Sequence, residues 1–232
     1  MTSKTTPSDS TVPVITIDGP SGSGKGTISQ QLAGKLGWHY LDSGALYRLL
    51  ACAALRDGVA LDDASGLVAL VDRINGEFRY SATGRECVLL DDEDVTRRLR
   101  TEECGNAASI LAMLPEVRIA LLAWQRRYRR PPGLVADGRD MGTVVFPDAG
   151  LKIFLTASPE ERACRRYKQL KEKGIKATLE EILEDTRARD QRDRTRKSAP
   201  LEPAMDAFIL DNGGLDVAAT IAIILDRLPM NV

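Results

Sequence analysis

One short, glycine-rich segment of this 232-residue chain carries a lysine at the spacing used to bind phosphate. It follows the β-branched run at residues 14–17 and precedes a helical pattern in which Ile28, Leu32 and Leu36 recur at every fourth residue. A glycine loop between a strand and a helix lets backbone N–H groups converge on phosphate oxygens, and the helix dipole favours the anion. Lys25 can then reach the β- and γ-phosphates of a nucleotide. The predicted nucleotide-binding residues are Gly19, Pro20, Ser21, Gly22, Ser23, Gly24, Lys25, Gly26 and Thr27.

The residues at the end of this loop narrow the class of protein. Gly26 follows Lys25 where many phosphate loops carry Ser or Thr, and the hydroxyl comes one residue later, at Thr27. Direct ligation of Mg²⁺ by that hydroxyl is therefore not expected. The sequence contains no N-K-x-D motif, which argues against a GTPase. The alternative, a glycine-rich turn without chemistry, does not explain why a strand precedes the segment and a helix follows it.

A second anionic substrate would need cations near this loop, and arginines recur after other predicted strands. The segment 42–48 (DSGALYR) follows the strand predicted at 38–41, and 137–140 (DGRD) follows the strand predicted at 134–136. Parallel α/β sheets bind ligands beyond the carboxyl ends of their strands. A third segment, 189–197, mixes arginines with aspartates and alone would indicate only a solvated helix face. Together the three segments indicate a site for a second phosphate.

The remaining composition excludes several other chemistries. Because His39 is the one histidine, neither a histidine-ligated metal centre nor a chain of imidazole proton relays is expected, and we assign His39 to packing or the surface. The four cysteines form no C-x-x-C pair, which argues against a zinc knuckle or a redox dithiol and favours reduced thiols. With 32 Lys and Arg against 33 Asp and Glu, the net charge of −1 does not suit a protein that coats polyanions.

Strands and helices alternate along the chain in the pattern typical of a parallel α/β sheet. The predicted strands lie at 14–17, 38–41, 134–136, 151–155 and 208–210, and the predicted helices at 25–37, 45–56, on both sides of Pro115, within 159–197 and near 221–228. Between about 62 and 100 the pattern changes to alternating residues around a turn at 81–84, which predicts an inserted subdomain with a β-hairpin. Residues 1–12 are predicted to be a disordered tail, and 13–230 a single domain.

Five motifs taken together identify a family resemblance that spans nearly the whole chain. GPSGSGKGT, DSGALYR, NAAS, ADGRDMGTVVFPDA and RDQRDRTR resemble those of bacterial-type cytidylate kinases, which are P-loop nucleoside monophosphate kinases. The resemblance implies an α/β core with a central parallel sheet flanked by helices. It also implies a small antiparallel, substrate-side subdomain at about 62–100 and a short helical lid at about 158–175. The implied reaction transfers the ATP γ-phosphoryl group to CMP or dCMP.

The resemblance also implies roles for individual residues. The residues matched to the CMP phosphate are Arg48, Arg139 and Arg196, and those matched to cytosine are Ser109, Arg118 and Asp140. The ribose contacts are matched by Arg189 and Asp193, with Ser43 lining the same cleft. The lid over ATP is matched by Arg165 and Arg166. With Lys25, the arginines Arg139, Arg165, Arg166 and Arg196 form the predicted catalytic set. A surface ion pair is the alternative for each, and it applies best to Arg162, Arg192 and Arg194.

The implied chemistry needs cations more than a base. A phosphate monoester has a second pKa near 6, so the attacking oxygen of CMP is already ionised at neutral pH. Mg²⁺ is expected to arrive as Mg·ATP, with Asp137 either ordering it through water or serving only as a turn residue. ATP and CMP or dCMP are the expected partners, without nucleic acid or membrane. A cytoplasmic location is expected, because residues 1–11 lack a signal-like apolar region and the apolar run 217–225 is shorter than the roughly 20 residues of a membrane span. The resemblance implies a monomer.

Two other functions remain open at this stage. The first is a P-loop kinase for a different small acceptor, such as UMP or shikimate. The second is a nucleotide-binding switch or scaffold that transfers no phosphate. A switch has no need for Arg48, Arg139 and Arg196, and acceptor-dependent release of ADP distinguishes the three hypotheses.

Overall fold

The computed structural model describes residues 12–80, 86–172, 174 and 176–228. The chain divides into two compact units, one made of Met1–Asp42 with Arg126–Val232 and the other of Ser43–Gln125. The tail predicted at 1–12 lies outside the described residues except for Val12, and so does the predicted turn at 81–84. The limits expected for the insertion and the lid stay predictions.

The described elements follow the alternation expected from the sequence. The strands are β1 (Val14–Asp18), β2 (His39–Asp42), β3 (Gly76–Tyr80), β4 (Glu86–Leu90), β5 (Glu93–Asp94), β6 (Leu134–Gly138), β7 (Leu151–Thr156) and β8 (Phe208–Asp211). The helices are α1 (Lys25–Leu36), α2 (Ser43–Asp57), α3 (Ala64–Arg73), α4 (Thr96–Leu99), α5 (Glu102–Leu111), α6 (Pro115–Arg126), α7 (Pro159–Glu172), α8 (Leu179–Thr195) and α9 (Val217–Leu225). A π-helical turn, Met141–Val145, follows β6.

The first unit is built on a five-stranded parallel sheet in the order β2-β6-β1-β7-β8. All five residues of β1 are buried, as expected for a central parallel strand covered on both faces. The helices α1 and α9 contribute Ile28 and Ile221 to the core beneath this sheet. Because Asp18 pairs with Gly138 in register, the carboxyl ends of β1 and β6 lie side by side. The loop between β1 and α1 therefore starts at the edge where parallel sheets bind ligands.

The glycines at the ends of α1 meet backbone requirements that other residues meet poorly. Gly24 caps the N-terminus with a φ of 92°, and Gly37 caps the C-terminus with a φ of 66°, both in the left-handed region. The helix predicted from Lys25 to Gly37 is thereby confirmed. Its first turn is the helix N-terminus that the sequence predicts for phosphate binding.

The second unit has its own core and a small antiparallel sheet in the order β3-β4-β5. Buried faces of α2, α3, α5 and α6 form the core, with Leu49 and Leu121 fully buried. Gly76 begins β3 where a Cβ would overlap Leu49 and Trp124, so the sheet packs closely against that core. The two antiparallel strands of the hairpin expected between 62 and 100 are observed as β3 and β4. The predicted α/β class, a helix-flanked parallel sheet with a small antiparallel sheet, is confirmed.

Two helices of the first unit, α7 and α8, form a third small apolar cluster. Ala163 and Leu170 of α7 and Ile182 of α8 are its buried members. A capping box starts α8, since Thr178 accepts from the Glu181 backbone N–H while the Glu181 side chain accepts from Thr178. The charged, helix-period stretch 159–197 is thus resolved into two amphipathic helices.

The cysteines in the described part of the chain carry free thiols, as the sequence predicts: Cys52, Cys87, Cys104 and Cys164. His39 is exposed, and its Nε2 lies 2.9 Å from the Pro131 carbonyl oxygen. In the residues described, no single helix has the length and apolarity to cross a membrane, whereas α5 and α6, bent by 106° at their junction, meet that test only as a pair.

Candidate active site

The glycine loop leaves β1 in a conformation that excludes side chains at its start. A Cβ on Gly19 would overlap the Leu155 carbonyl oxygen of the neighbouring strand β7, so only glycine fits there. At the other end of the loop, the buried Lys25 donates from Nζ to the Pro20 carbonyl oxygen at 2.7 Å. The loop therefore curls around its own lysine, and Lys25 is already placed at the N-terminus of α1.

Burial makes Lys25 a poor cation in the absence of a ligand. It lowers the pKa of the Lys25 ammonium from 10.5 to about 7, and the charge of Arg139 acts in the same direction. The carboxylates of Asp137, Asp193 and Asp18 oppose this shift. A phosphate group placed beside Nζ would favour the charged form again, so this site is suited to a polyanion.

Asp137 is the second titratable group at this edge of the sheet whose pKa is shifted by burial. Burial and the nearby charge of Asp42 raise the pKa of the Asp137 carboxyl to about 7, against the opposing effect of Lys25. The Tyr40 hydroxyl donates to Asp137 Oδ2 at 2.7 Å. The carboxyl group is thus held at the carboxyl end of β6 by a residue of the adjacent strand β2.

Sequence reasoning missed Asp18, the last residue of β1. Its two carboxylate oxygens accept the backbone N–H groups of Met141 and Gly142, both at 2.8 Å. Burial raises the pKa of the Asp18 carboxyl to about 6 although both hydrogen bonds act to lower it. Asp18 therefore fixes the π-helical turn that directly follows Arg139 and Asp140. A carboxylate at a strand terminus, immediately before the phosphate loop, was the available signal.

Five of the residues matched to the acceptor lie in the first unit: Arg139, Asp140, Arg189, Asp193 and Arg196. Arg139 Nε donates to Asp193 Oδ2 at 2.7 Å, and its Nη1 donates to the Gly138 carbonyl. Burial alone would raise the pKa of Asp193, but the charge and hydrogen bond of Arg139 lower it. Asp140 and Arg196 are both buried. The geometry holds Arg139 and Asp193 together as an ion pair near Lys25.

The other four acceptor candidates lie in the second unit: Ser43, Arg48, Ser109 and Arg118. Ser43 donates to Gln125 Oε1 at 2.8 Å, and Arg48 Nη1 donates to the Leu99 carbonyl at 2.7 Å. Arg118 lies over the Tyr47 ring, 5.7 Å from its centroid. Ser109 is half-buried on α5. The side chains of Ser43, Arg48 and Arg118 are thus supported by contacts inside their own unit.

The two predicted lid arginines differ in their surroundings. Arg165 Nη1 donates to the Ser23 carbonyl of the loop at 3.2 Å, and its Nη2 donates to the Asn212 carbonyl at 2.7 Å. Arg166 is half-buried one residue later, and its Nη1 lies 3.5 Å from Gln169 Oε1. Arg165 therefore connects α7 to the phosphate loop.

Two further residues contact the loop, and one of them corrects the sequence interpretation. Asn212, just beyond β8, donates from Nδ2 to the Ser23 carbonyl at 2.8 Å. Arg162, interpreted above as a surface ion pair, is only 2% exposed and donates to the Ser21 carbonyl at 2.8 Å. The interpretation of Arg162 was wrong because its partners come from segments far apart in sequence. Asn212 could have been found by its position two residues after the strand predicted at 208–210.

The loop and its neighbours suit a magnesium ion that is held largely by phosphates and water. Mg²⁺ prefers oxygen ligands and retains several waters. The Asp137 carboxylate lies beside the start of α1, where a Cβ on Gly26 would be 3.8 Å from its Oδ2. Thr27 is exposed in the first turn of the same helix. The Asp137 carboxyl group therefore lies beside the first turn of α1, and its predicted role in ordering the ion stays a prediction.

The fold and the loop define the class. A central parallel sheet with a glycine loop and a buried lysine between its first strand and first helix is the arrangement of P-loop nucleotide-binding proteins. The family model described as cytidylate kinase matches residues 15–229, so the chain belongs to the cytidylate kinase family.

Individual relatives agree with this membership. The chain is 55% identical over 213 residues to a cytidylate kinase of Aeromonas hydrophila, with 92% of each chain covered. It is 56% identical over 215 residues to one of Methylococcus capsulatus, covering 93% of this chain and 96% of that protein. It is 57% identical over 207 residues to one of Nitrosococcus oceani, covering 89% and 91%.

Proposed function

We propose that the protein transfers the γ-phosphoryl group of ATP to CMP or dCMP, giving ADP and CDP or dCDP. The observation that carries this proposal is the buried Lys25 in its glycine loop, in a chain of the cytidylate kinase family. The Arg139–Asp193 pair adds a cation with a fixed orientation on the acceptor side. Nucleotide chemistry is thus supported by both the loop and the family.

The attacking group is a phosphate oxygen that arrives ionised, so the reaction needs positioning and not a general base. Arginine suits this task because its planar guanidinium binds two phosphate oxygens at once. Arg48, Arg139 and Arg196 are the proposed phosphate ligands. Arg139 is oriented for this role by its 2.7 Å hydrogen bond to Asp193 Oδ2 and by a second hydrogen bond from its Nη1 to the Gly138 carbonyl oxygen.

Negative charge that moves onto the transferred phosphoryl group and the leaving oxygen is stabilised by fixed donors. Lys25, with its ammonium recharged by the polyanion, and the backbone N–H groups of residues 21–27 supply these donors on the ATP side. Arg165 and Arg166 are the proposed contributions of the lid. When bound, Mg²⁺ would neutralise part of the charge of the ATP phosphates, and Asp137 would hold it through water.

Recognition of cytosine is proposed for Ser109, Arg118 and Asp140. Cytosine presents an amino donor beside two acceptors, N3 and O2, so a carboxylate and a guanidinium complement its edge. Uracil presents a carbonyl in place of the amino group and would leave the buried Asp140 carboxylate facing an acceptor. Arg189, Asp193 and Ser43 are the proposed ribose contacts.

The remaining assignments concern the whole chain. We propose the segment 62–100 as a substrate-side subdomain and 158–175 as the lid that excludes water from ATP. A monomer located in the cytoplasm, acting on small nucleotides without nucleic acid or membrane, is proposed with them. The family resemblance and the apolar runs of the sequence support these assignments.

An acceptor panel with Mg·ATP tests the proposed reaction. CMP, dCMP, UMP, AMP, GMP and shikimate are offered separately, and ADP release is followed by a coupled assay. Rapid ADP release with CMP and dCMP is the expected result. Preference for UMP or shikimate would assign the chain to another acceptor, and acceptor-independent behaviour would support a nucleotide-binding switch.

A further inference from the structure

The side chain of Arg162 joins three separate segments of the first unit from a buried position. It is 2% exposed, and its partner Asp190 on α8 is 7% exposed, when side chains alone are counted. Arg162 Nε donates to the Ala157 carbonyl at 3.0 Å, and Nη1 donates to the Ser21 carbonyl at 2.8 Å. Nη1 and Nη2 donate to the two carboxylate oxygens of Asp190. The end of β7, the phosphate loop and α8 thus meet at one guanidinium.

The contact with Ser21 controls the direction of a loop amide. In a trans peptide the carbonyl and the following N–H point in opposite directions. Since Arg162 holds the Ser21 carbonyl on one side, the Gly22 N–H points to the other side. The Arg162 stem also packs close to Gly22, where an added Cβ would lie 3.3 Å from the Arg162 Cβ. Arg162 therefore fixes both the orientation of this peptide and the space behind it.

A second side chain, which comes from helix α8, also contacts Ser21. Arg189 Nη1 lies 3.2 Å from Ser21 Oγ, and Arg189 is the residue directly before Asp190. Ser21 is thus held at its hydroxyl by Arg189 and at its carbonyl by Arg162, which Asp190 orients. A displacement of α8 would move both contacts together. The loop conformation is consequently tied to the helix that also carries Asp193.

Stability alone does not account for a buried ion pair of this kind. Apolar residues of similar volume commonly replace such a pair without loss of stability, whereas removal of one partner leaves an uncompensated charge. An apolar pair has no donor for the Ser21 carbonyl. We propose that Arg162, held by Asp190, is a positioning residue that directs the Gly22 N–H toward the ATP phosphates. This inference rests on the proposed kinase function and adds to it a residue that touches neither substrate.

The test is the paired replacement Arg162→Met with Asp190→Leu, which removes the buried charges together. The matched control replaces the exposed pair Glu160→Gln with Arg187→Gln, which joins the same two helices at 2.8 Å without touching the loop. Urea unfolding, ATP binding by calorimetry, the KM values for ATP and CMP, and the Gly22 amide resonance are measured for both. The apolar pair is expected to unfold at a urea concentration close to that of the control. Its KM and Kd for ATP are expected to rise by about 10- to 100-fold, with a much smaller change in the KM for CMP and a shifted Gly22 resonance.

A stable apolar-pair variant with unchanged ATP binding and an unchanged Gly22 resonance would overturn the inference. If that variant does not fold, Arg162→Lys provides the same readouts, because an ammonium donates from one nitrogen and cannot serve Ala157, Ser21 and both Asp190 oxygens together. Weaker ATP binding by the folded lysine variant is then expected, and wild-type binding would refute the role. Failure of the wild-type protein to phosphorylate CMP would instead reject the proposed function, and ATP binding and the Gly22 resonance would still test Arg162.

Discussion

Lys25 illustrates how a proposed phosphate-binding residue is held at a cost to stability. The folded protein lowers the pKa of its ammonium to about 7, whereas the unfolded chain keeps it at 10.5. Below pH 7 the buried charge is therefore a full penalty on folding, and the penalty is relieved as the pH rises from about 7 to 10.5. The proposed ligand, and not the stability of the fold, accounts for a buried lysine at this position.

The first prediction follows from this penalty. Lys25→Met should lower kcat by at least about 100-fold, since it removes a fixed cation from the transferred phosphoryl group. The same variant should be more stable than the wild type by about 1–2 kcal/mol at pH 7, measured by urea unfolding. That advantage should shrink at pH 9, because the wild-type penalty is then smaller. A variant with full activity, or one whose stability advantage grows with pH, would contradict this account of Lys25.

The second prediction at the residue scale concerns the proposed recognition of cytosine by Asp140. Asp140→Asn replaces one acceptor oxygen by a donor, which would face the amino group of cytosine. The value of kcat/KM for CMP should fall by about 100- to 10,000-fold while the Kd for ATP stays unchanged. Asp185→Asn, an exposed carboxylate on α8, is the control and should behave as wild type. An equal loss of CMP turnover and ATP binding would make Asp140 a structural residue.

The sequence predicted the structural surroundings of some residues better than those of others. The loop and Lys25 were predictable because all of their determinants are contiguous, from the strand before to the helix after. Arg162 was assigned to the surface because its partners, Ala157, Ser21 and Asp190, lie in three segments whose meeting depends on the tertiary fold. Asp18 was missed for the same reason, since the amides that it accepts are more than a hundred residues away.

At the scale of elements, short apolar runs predicted the strands well because central parallel strands are buried on both faces. The runs at 14–17 and 134–136 correspond to β1 and β6. The π-helical turn at Met141–Val145 had no such pattern, because it depends on the Asp18 carboxylate binding its first amides. Periodicity therefore reports elements that are stabilised by burial and not those stabilised by a distant hydrogen bond.

The capping box of α8 gives a prediction for a single element. Thr178→Ala removes the acceptor of the Glu181 backbone N–H and should destabilise the protein by about 1 kcal/mol in urea unfolding. Thr186→Ala is the matched control on the same helix, because its hydroxyl only donates to the Ile182 carbonyl within the helix. The control should change stability by less than the cap variant. Equal effects would mean that the box does not determine where α8 begins.

At the scale of the whole molecule, the near-zero net charge does not show how positive and negative residues are distributed locally. The chain has a net charge of −1, yet arginines and acids alternate at the ends of strands and along α8. Composition could exclude a general polyanion binder, but only the motifs could say where the cations lie. The candidate acceptor residues fall in both compact units. The sequence pattern had not predicted where the boundaries between these two units lie.

The last prediction uses the whole protein as its own reporter of binding. A ligand that binds only the native state stabilises it by about 2.7 kcal/mol at 100 times its Kd, so ATP and CMP should each raise the unfolding temperature. In Lys25→Met the shift caused by ATP should be largely lost and the shift caused by CMP retained, whereas Asp140→Asn should show the reverse. UMP should raise the unfolding temperature of the wild type less than CMP at equal concentration, because it leaves the Asp140 carboxylate without a donor. Differential scanning calorimetry with each ligand makes the comparison. If both variants lose both shifts equally, Lys25 and Asp140 do not belong to separate donor and acceptor sites.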